Sequence, residues 1–564
     1  MLSTVLQVLV FLSVLLLIAF PLGEYMARVF SSERTFLSPL VAPIEKYCYK
    51  ILHINPEEEM DWKTFAINLL LFNLIGLVAF YVLQEIQPFL PLNPQKIGSV
   101  RWDTAINTTI SYVTNTNWQS YNSETSMSYL TQMLGQSLQN FLSAGTGIAV
   151  GMAFIRGFQR KTTTDLGNFW VDLTRSILYI LLPLAIIWSL LLVSQGVVQN
   201  FHHYVTTHTL EGSTQILAQG PAASQIAIKH LGTNGGGFFA ANSAHPYENP
   251  TPFTDYLEIL GMVVIAAAFP FAFGAMLKDR KQGWSIFAVM MLLFVGSLSI
   301  AIWAEFHGNP LLEKIGILNG TNFEGKEVRL GTLASTFFAS ATTASSTGAV
   351  NAMHDSLMPL TGLTLIFHMA TNEVIFGGVG VGFVGMILYA ILSMFLIGLM
   401  IGRSPEIYGK KLEPFEMVMT MIALLLPAVL QLVLSAIAIS NHTGVASLGN
   451  PGSHGISEIL YAYASGMGNN GSAFAGLDSD NPFYNLTVGF AMLIGRIIIL
   501  IAPLAIAGSL VEKKLTPITS RFPTFSLTFV LVLAGIVVLV GGLAFFPVWV
   551  AGPILEHTQL FLVR

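Results

Sequence analysis

The chain has 564 residues, of which 53% are apolar and only 10% charged, with a mean hydropathy of +0.65. Such a composition excludes a soluble domain of this length and points to a membrane protein, in which a net charge of −5 carries little meaning. No loop is long, basic and aromatic enough for nucleic acid, and the sole cysteine, Cys48, excludes an internal disulfide.

In chain order, apolar stretches long enough to cross a bilayer as helix, about 20 residues, fall near 2–22, 64–84, 130–156, 173–194, 257–277, 284–304, 360–402, 416–439, 485–510 and 525–549. That predicts ten spans, the third weakly apolar and the seventh overlong. The stretch 2–22 lacks a basic lead and a small-residue exit, so it reads as a retained helix and not a cleaved signal. Eighteen lysines and arginines fall in connections after odd-numbered spans, among them Arg28, Arg160, Lys278, Lys410 and Lys513, against seven on the opposite side. The cationic side is cytoplasmic, which predicts both termini outside. Lys410-Lys411 and Lys513-Lys514 fit this bias, and a docking surface for a partner is the other use open to them.

Four polar stretches fall in outside connections, each between two spans: Thr114–Gln119, Thr233–Gly237, Ser345–Asn351 and Gly468–Ser472. Three contain a glycine able to turn carbonyl oxygens toward a shared axis, since Gly reaches positive φ without steric cost. Each alone is ordinary turn chemistry. Four in register, on one side, predict helix, re-entrant loop and helix repeated four times. Non-helical backbone at membrane depth needs a watery or protein-buried setting, which an ion path supplies.

The seventh stretch is interrupted by Glu373, Gly377, Gly378, Gly380 and Gly382. Each glycine costs about 1 kcal/mol inside a helix, so a break is predicted, carrying a loop to mid-membrane depth beneath the third polar stretch and obstructing straight passage. Glu373 and Arg496 are costly in hydrocarbon and are expected near one another, with Arg403 as a positive barrier at the inner end. The plainer alternative has Arg496 anchoring a helix terminus and Glu373 capping the broken helix. The sequence contains neither a phosphate-binding G-x-x-x-x-G-K-[ST] loop nor an Asp-Lys-Thr-Gly-Thr phosphorylation stretch, so energy for transport is expected from a partner. His202, His203 and His208 lack accompanying cysteines or carboxylates and read as a wet outside loop.

Thr114-Asn-Thr-Asn-Trp-Gln119, Gly232-Thr-Asn-Gly-Gly-Gly-Phe-Phe239, Ser346-Thr-Gly-Ala-Val-Asn351, Gly377-Gly-Val-Gly380, Gly402-Arg-Ser-Pro-Glu406 and Gly468-Asn-Asn-Gly-Ser-Ala-Phe-Ala-Gly476 together resemble the potassium-binding A subunits of Kdp-type potassium-transporting ATPases. The resemblance runs end to end. It implies an all-α polytopic membrane protein of the superfamily of potassium transporters, with four pseudo-symmetric helix–re-entrant loop–helix repeats at 61–165, 166–280, 281–412 (its second helix broken) and 413–515. An extra helix lies at each end, within 1–60 and 516–564. It further implies a filter holding potassium, the substrate, through Asn115, Thr116 and Asn117, Thr233, Asn234 and Gly235, Ser346, Thr347 and Gly348, and Asn469, Asn470 and Gly471, with Gln119 as a brace. No other cofactor is expected. The implied partners, in the bacterial inner membrane, are the ATP-hydrolysing P-type component of the Kdp complex, its B subunit, and the small accessory C and F subunits. A stand-alone potassium channel or carrier of the same fold is the alternative, and an intramembrane enzyme using Glu373 and His368 lacks a recognisable nucleophile or metal pair.

Overall fold

The computed structural model describes residues 2–317, 320–516 and 523–562; Arg521 and Arg564, two of the cations weighed above, lie outside them. Among the described residues ten helices are long and apolar enough to cross a membrane. They begin with Leu2–Phe30, longer than its apolar stretch, Trp62–Ile86 and Leu138–Gln159, the last entered through a π-helical turn at Thr131–Ser137. Phe169–Ser194, Pro252–Met276, Arg280–Phe306, Val381–Met400, Pro414–Ser440 and Pro482–Glu512 follow. The last, Leu527–Trp549, continues through a kink at Gly552 into Leu555–Leu562. Polar caps fix several starts: the Asp61 carboxylate accepts from the Thr64 N–H, and Thr251 forms a reciprocal capping box with Thr254.

Four shorter helices, Trp102–Val113, Ala222–Leu231, Gly331–Ala344 and Ser453–Gly468, dip between consecutive spans. Each packs against the span before it and the helix after it, which for Gly331–Ala344 is the short apolar helix Pro359–Ala370, so helix, short helix and helix recur four times. The two spans of a unit differ in environment. In their most apolar stretches 89% and 94% of residues are buried in the third and fifth spans, against 17% and 39% in the second and fourth. The third span is weakly apolar because it stands inside: Gln139, Asn140, Ser143 and Thr146 are buried among protein groups, not lipid. The first span packs on the fifth, and the last packs on the sixth and on the broken seventh.

The seventh stretch is two helices, Pro359–Ala370 and Val381–Met400, separated by irregular backbone. On the side opposite the short helices, a hairpin pairs Glu406–Ile407 with Lys410–Lys411. Lys410 is not surface charge: its buried ammonium donates to the carbonyls of Arg160 at 2.6 Å and of Leu510 and Lys513 at 2.8 Å. It satisfies the exposed carbonyls at the ends of the third and ninth spans, where a cation is favoured. The docking use considered for the Lys410-Lys411 pair therefore fails for Lys410.

Candidate ion filter and the cavity beneath it

Each short helix ends where a polar stretch begins, so four helix C-termini, with their partial negative charge, converge on one place. The four ends close identically. The N–H of Thr116 donates to Ser111 O at 2.8 Å, Asn234 to Lys229 O at 2.8 Å, Thr347 to Thr342 O at 3.0 Å and Asn470 to Ser465 O at 2.8 Å. These are the six-to-one bonds that finish a helix with a left-handed residue.

On either side of each closing residue φ is positive: Asn115 (66°) and Asn117 (55°), Thr233 (49°) and Gly235 (85°), Ser346 (57°) and Gly348 (82°), Asn469 (60°) and Gly471 (97°). A left-handed residue, an ordinary one and a left-handed one thus recur in all four loops. Such alternation points successive carbonyls to one side of the strand instead of to both. At the second left-handed position three loops use glycine and the first uses asparagine, the side chain that best tolerates this conformation.

The loops form a closed ring. A Cβ on Gly235 would strike the Thr347 carbonyl oxygen, one on Gly348 that of Asn470, and one on Gly471 that of Thr116. The ring closes between the first and second loops, where the Asn117 amide donates to Gly235 O at 3.1 Å and the Asn115 amide to Thr233 O at 2.7 Å. Further side-chain bonds cross the seams: Asn234 to Asn115 Oδ1 at 2.7 Å, Asn469 to Thr116 Oγ1 at 3.0 Å, Asn470 to Thr342 O at 3.0 Å and Ser346 to Asn469 O at 3.0 Å. The donor groups of these side chains are thus engaged in holding the loops, in part through the loop carbonyls of Thr233, Gly235 and Asn469. Gln119, beyond the first loop, donates to Tyr112 OH, Ser123 Oγ and Gly237 O and accepts from the Gly237 N–H.

Several buried groups that hold this ring, apart from Ser472 of the fourth polar stretch, were not singled out from the sequence. Asn140 accepts from the Asn117 amide at 2.6 Å, and Ser143 bonds to Asn115 Oδ1 at 2.9 Å. Tyr461 and Ser472 share a hydrogen bond of 2.7 Å, and Ser472 donates to Asn470 Oδ1 at 2.5 Å. The only hint of Asn140 and Ser143 in the sequence is the polarity of the third span. Where the fourth short helix starts, His454 lies between Asp355 (2.8 Å) and Glu556 (2.8 Å). Burial works against its charge, but the two carboxylates prevail and raise its pKa to about 10.

Above the ring, Asn117, Gln119, Gly236, Gly348 and Gly471 floor an open vestibule of about 660 Å³ whose walls include Glu327, Asp478 and Asp480. Below it, Ser346, Asn469 and Gly468 roof a cavity of about 30 Å³ that Glu373, Gly378, Val381 and Arg496 also line. That volume holds one or two water molecules. The break that carries Glu373 is tucked directly under the ring: the N–H groups of Phe376 and Gly377 both donate to Ala344 O, and that of Val379 donates to Thr233 Oγ1 at 2.9 Å. Gly377 (65°) and Gly380 (86°) supply left-handed turns, and Gly380 lies so close to Gly147 that a Cβ would meet its carbonyl.

Glu373 and Arg496 face one cavity without forming an ion pair. The Arg496 guanidinium donates to Ser143 O at 2.9 Å, while the Glu373 carboxyl faces the Ser346 and Asn470 side chains. Arg496 stands within the Pro482–Glu512 helix, not at its terminus. Glu373 follows a helix end, and its N–H bonds to His368 O at 3.0 Å. Arg403 does not line this cavity: it is exposed in the turn between Met400 and the hairpin at 406–411. His202, His203 and His208 are exposed on the vestibule side and do not converge. His368 is occupied by Ser297 and Thr343, at 2.7 and 3.0 Å.

Residues 9–558 match the family model described as potassium-transporting ATPase A subunit. The chain is 51% identical over 555 residues to the potassium-transporting ATPase potassium-binding subunit of Brucella anthropi, covering 98% of each. It is 50% identical over 577 residues to the protein of that name from Herpetosiphon aurantiacus, covering 99% of this chain and 100% of that one. Among solved structures it is similar to the potassium transporter TrkH of Vibrio parahaemolyticus, with a TM-score of 0.50, 14% identity, and 86% of this chain and 96% of that one covered. At that identity the likeness speaks for the fold alone.

Proposed function

The chain belongs to the potassium-transporting ATPase A subunit family, and from this premise we propose that it is the potassium-selective subunit of an ATP-driven importer in the bacterial inner membrane. Potassium enters the vestibule from outside, sheds water onto the backbone oxygens of Asn115–Asn117, Thr233–Gly235, Ser346–Gly348 and Asn469–Gly471, and reaches the cavity below. There the Glu373 carboxylate attracts the ion, and Arg496 with the break at 371–380 bars its direct path inward. The ion leaves sideways, within the membrane, to the ATP-hydrolysing P-type partner, and the small C and F subunits complete the complex. Both termini face outside, which the bias of lysine and arginine supports.

One observation carries this reading: four loops of unequal sequence share one alternating backbone and one helix closure. A ring of carbonyls in place of a hydration shell is what potassium selection needs. A stand-alone channel uses the same ring, but the break packed beneath it favours the pump component. The test is to purify the chain with its co-assembling membrane proteins and measure ATP hydrolysis against potassium and sodium. Hydrolysis stimulated by potassium and not by sodium is expected; hydrolysis indifferent to potassium overturns the proposal.

A further inference from the structure

Between the first two spans the chain forms a surface helix, Ser38–Ile51, on the side opposite the filter. The preceding span ends at Phe30 and the following one begins at Trp62, so this helix is held at the level of their ends. One face is bolted to the protein. Val41, Glu45 and Tyr49 are buried at four-residue spacing, and Glu45 accepts from Tyr49 OH (2.7 Å), Arg175 Nε (2.9 Å) and Tyr179 OH (2.8 Å).

A second face has no protein cover. Leu40, Ile44, Tyr47 and Ile51 are 71%, 48%, 65% and 55% exposed. At 3.6 residues per turn these four positions fall within roughly 60° of one another. Phe36 and Leu52, just beyond the two ends, are also exposed. The third face carries Lys46 and Lys50, both exposed, about a third of a turn from the apolar stripe. An exposed apolar stripe of this extent marks a contact surface, and flanking lysines fit an anionic one.

We propose that Ser38–Ile51 lies in the plane of an anionic inner leaflet, with the Leu40–Ile44–Tyr47–Ile51 stripe in the acyl–headgroup boundary and Lys46 and Lys50 among lipid phosphates. Lipid is the occupant at hand, because both flanking helices leave and re-enter the bilayer at this level. Separate apolar, basic and protein-bound faces are what an interfacial helix fixed to a membrane protein requires. Through Glu45 the lipid contact bears on Arg175 and Tyr179 of the fourth span. The inference rests on the membrane-spanning fold and not on which ion is carried.

Cys48, the sole cysteine, gives a clean labelling background: Cys48→Ser is combined with Tyr47→Cys or Lys50→Cys, and a nitroxide is attached. The full chain is reconstituted in vesicles of phosphatidylethanolamine with phosphatidylglycerol, and separately in phosphatidylcholine. In the anionic vesicles oxygen should relax the label at position 47 more than a water-soluble nickel chelate does, and the order should reverse at position 50. Lys46→Gln with a neutral residue at 50 should weaken the preference at position 47 in anionic vesicles and leave it unchanged in phosphatidylcholine. Equal access of nickel to both positions overturns the proposal. So does shielding of position 47 from both reagents only when co-purified membrane partners are present, which would make the stripe a protein interface. Both labelled positions are exposed, so the substitutions spare the core.

Discussion

Gln119 holds Gly237 from both ends: its amide nitrogen donates to the Gly237 carbonyl at 3.3 Å, and its amide oxygen accepts from the Gly237 N–H at 2.9 Å. The first filter loop is thereby clasped to the exit of the second. Replacing Gln119 with Arg removes both bonds and places a cation at the floor of the vestibule. Two hydrogen bonds at about 1 kcal/mol each, with added repulsion, should weaken potassium affinity on the order of tenfold to a hundredfold and narrow discrimination against sodium. Potassium- and sodium-dependent ATP hydrolysis of the assembled complex reads both effects. An unchanged affinity would remove the clasp from the filter's stability.

Gly348 and Asn117 occupy corresponding places with opposite tolerance. Gly348 lies against the Asn470 carbonyl, so Gly348→Ala both collides there and strains a left-handed backbone. Potassium stimulation should vanish while the protein still melts cooperatively. Asn117→Gly keeps the backbone and loses only the side-chain bonds to Gly235 and Asn140. It should retain stimulation, with affinity reduced by roughly tenfold or less. If both variants behave alike, the correspondence between the two positions is wrong.

Much of this was legible beforehand, for identifiable reasons. Ten spans follow from apolar length, and the break in the seventh from the glycines after Glu373. What escaped is non-local. Asn140 and Ser143 reach the first loop from the third span, and Tyr461 reaches the fourth from within its short helix; no spacing within one segment announces such partners. Lys410 looked like surface charge because its three carbonyl partners come from two other helix ends. Arg403 was expected as a positive barrier at the inner end; it is exposed in the turn after Met400 and does not line the cavity shared by Glu373 and Arg496.

Neutralising Glu373 tests the cavity apart from the ring. Glu373→Gln keeps the volume and removes the ionisable carboxyl that shares the cavity with Arg496. Transport should fall at least about tenfold, equivalent to roughly 1.4 kcal/mol, while potassium still protects the protein against thermal unfolding by binding in the ring. Unchanged transport and coupling would remove Glu373 from the path.

His454 ties the fourth short helix to Asp355 and to Glu556 of the terminal helix. Its pKa is raised to about 10 from an ordinary 6.5, so the imidazolium's contribution to stability is complete below about pH 6.5 and is lost as pH rises through about 10. Hydrogen exchange of Leu555–Leu562 should therefore quicken between pH 7 and pH 10.5 beyond the intrinsic rate increase. In His454→Gln that extra dependence should disappear. The same extra dependence in both proteins would assign it elsewhere.

Potassium flux into proteoliposomes most directly tests whether this chain selects ions for a pump. It should be measured with the chain alone and then with its co-purified membrane partners, with and without ATP. Uptake confined to the assembled complex supplied with ATP is the expected result. Rapid flux through the isolated chain without ATP would make it a channel or carrier and would contradict the role given to the break beneath the filter.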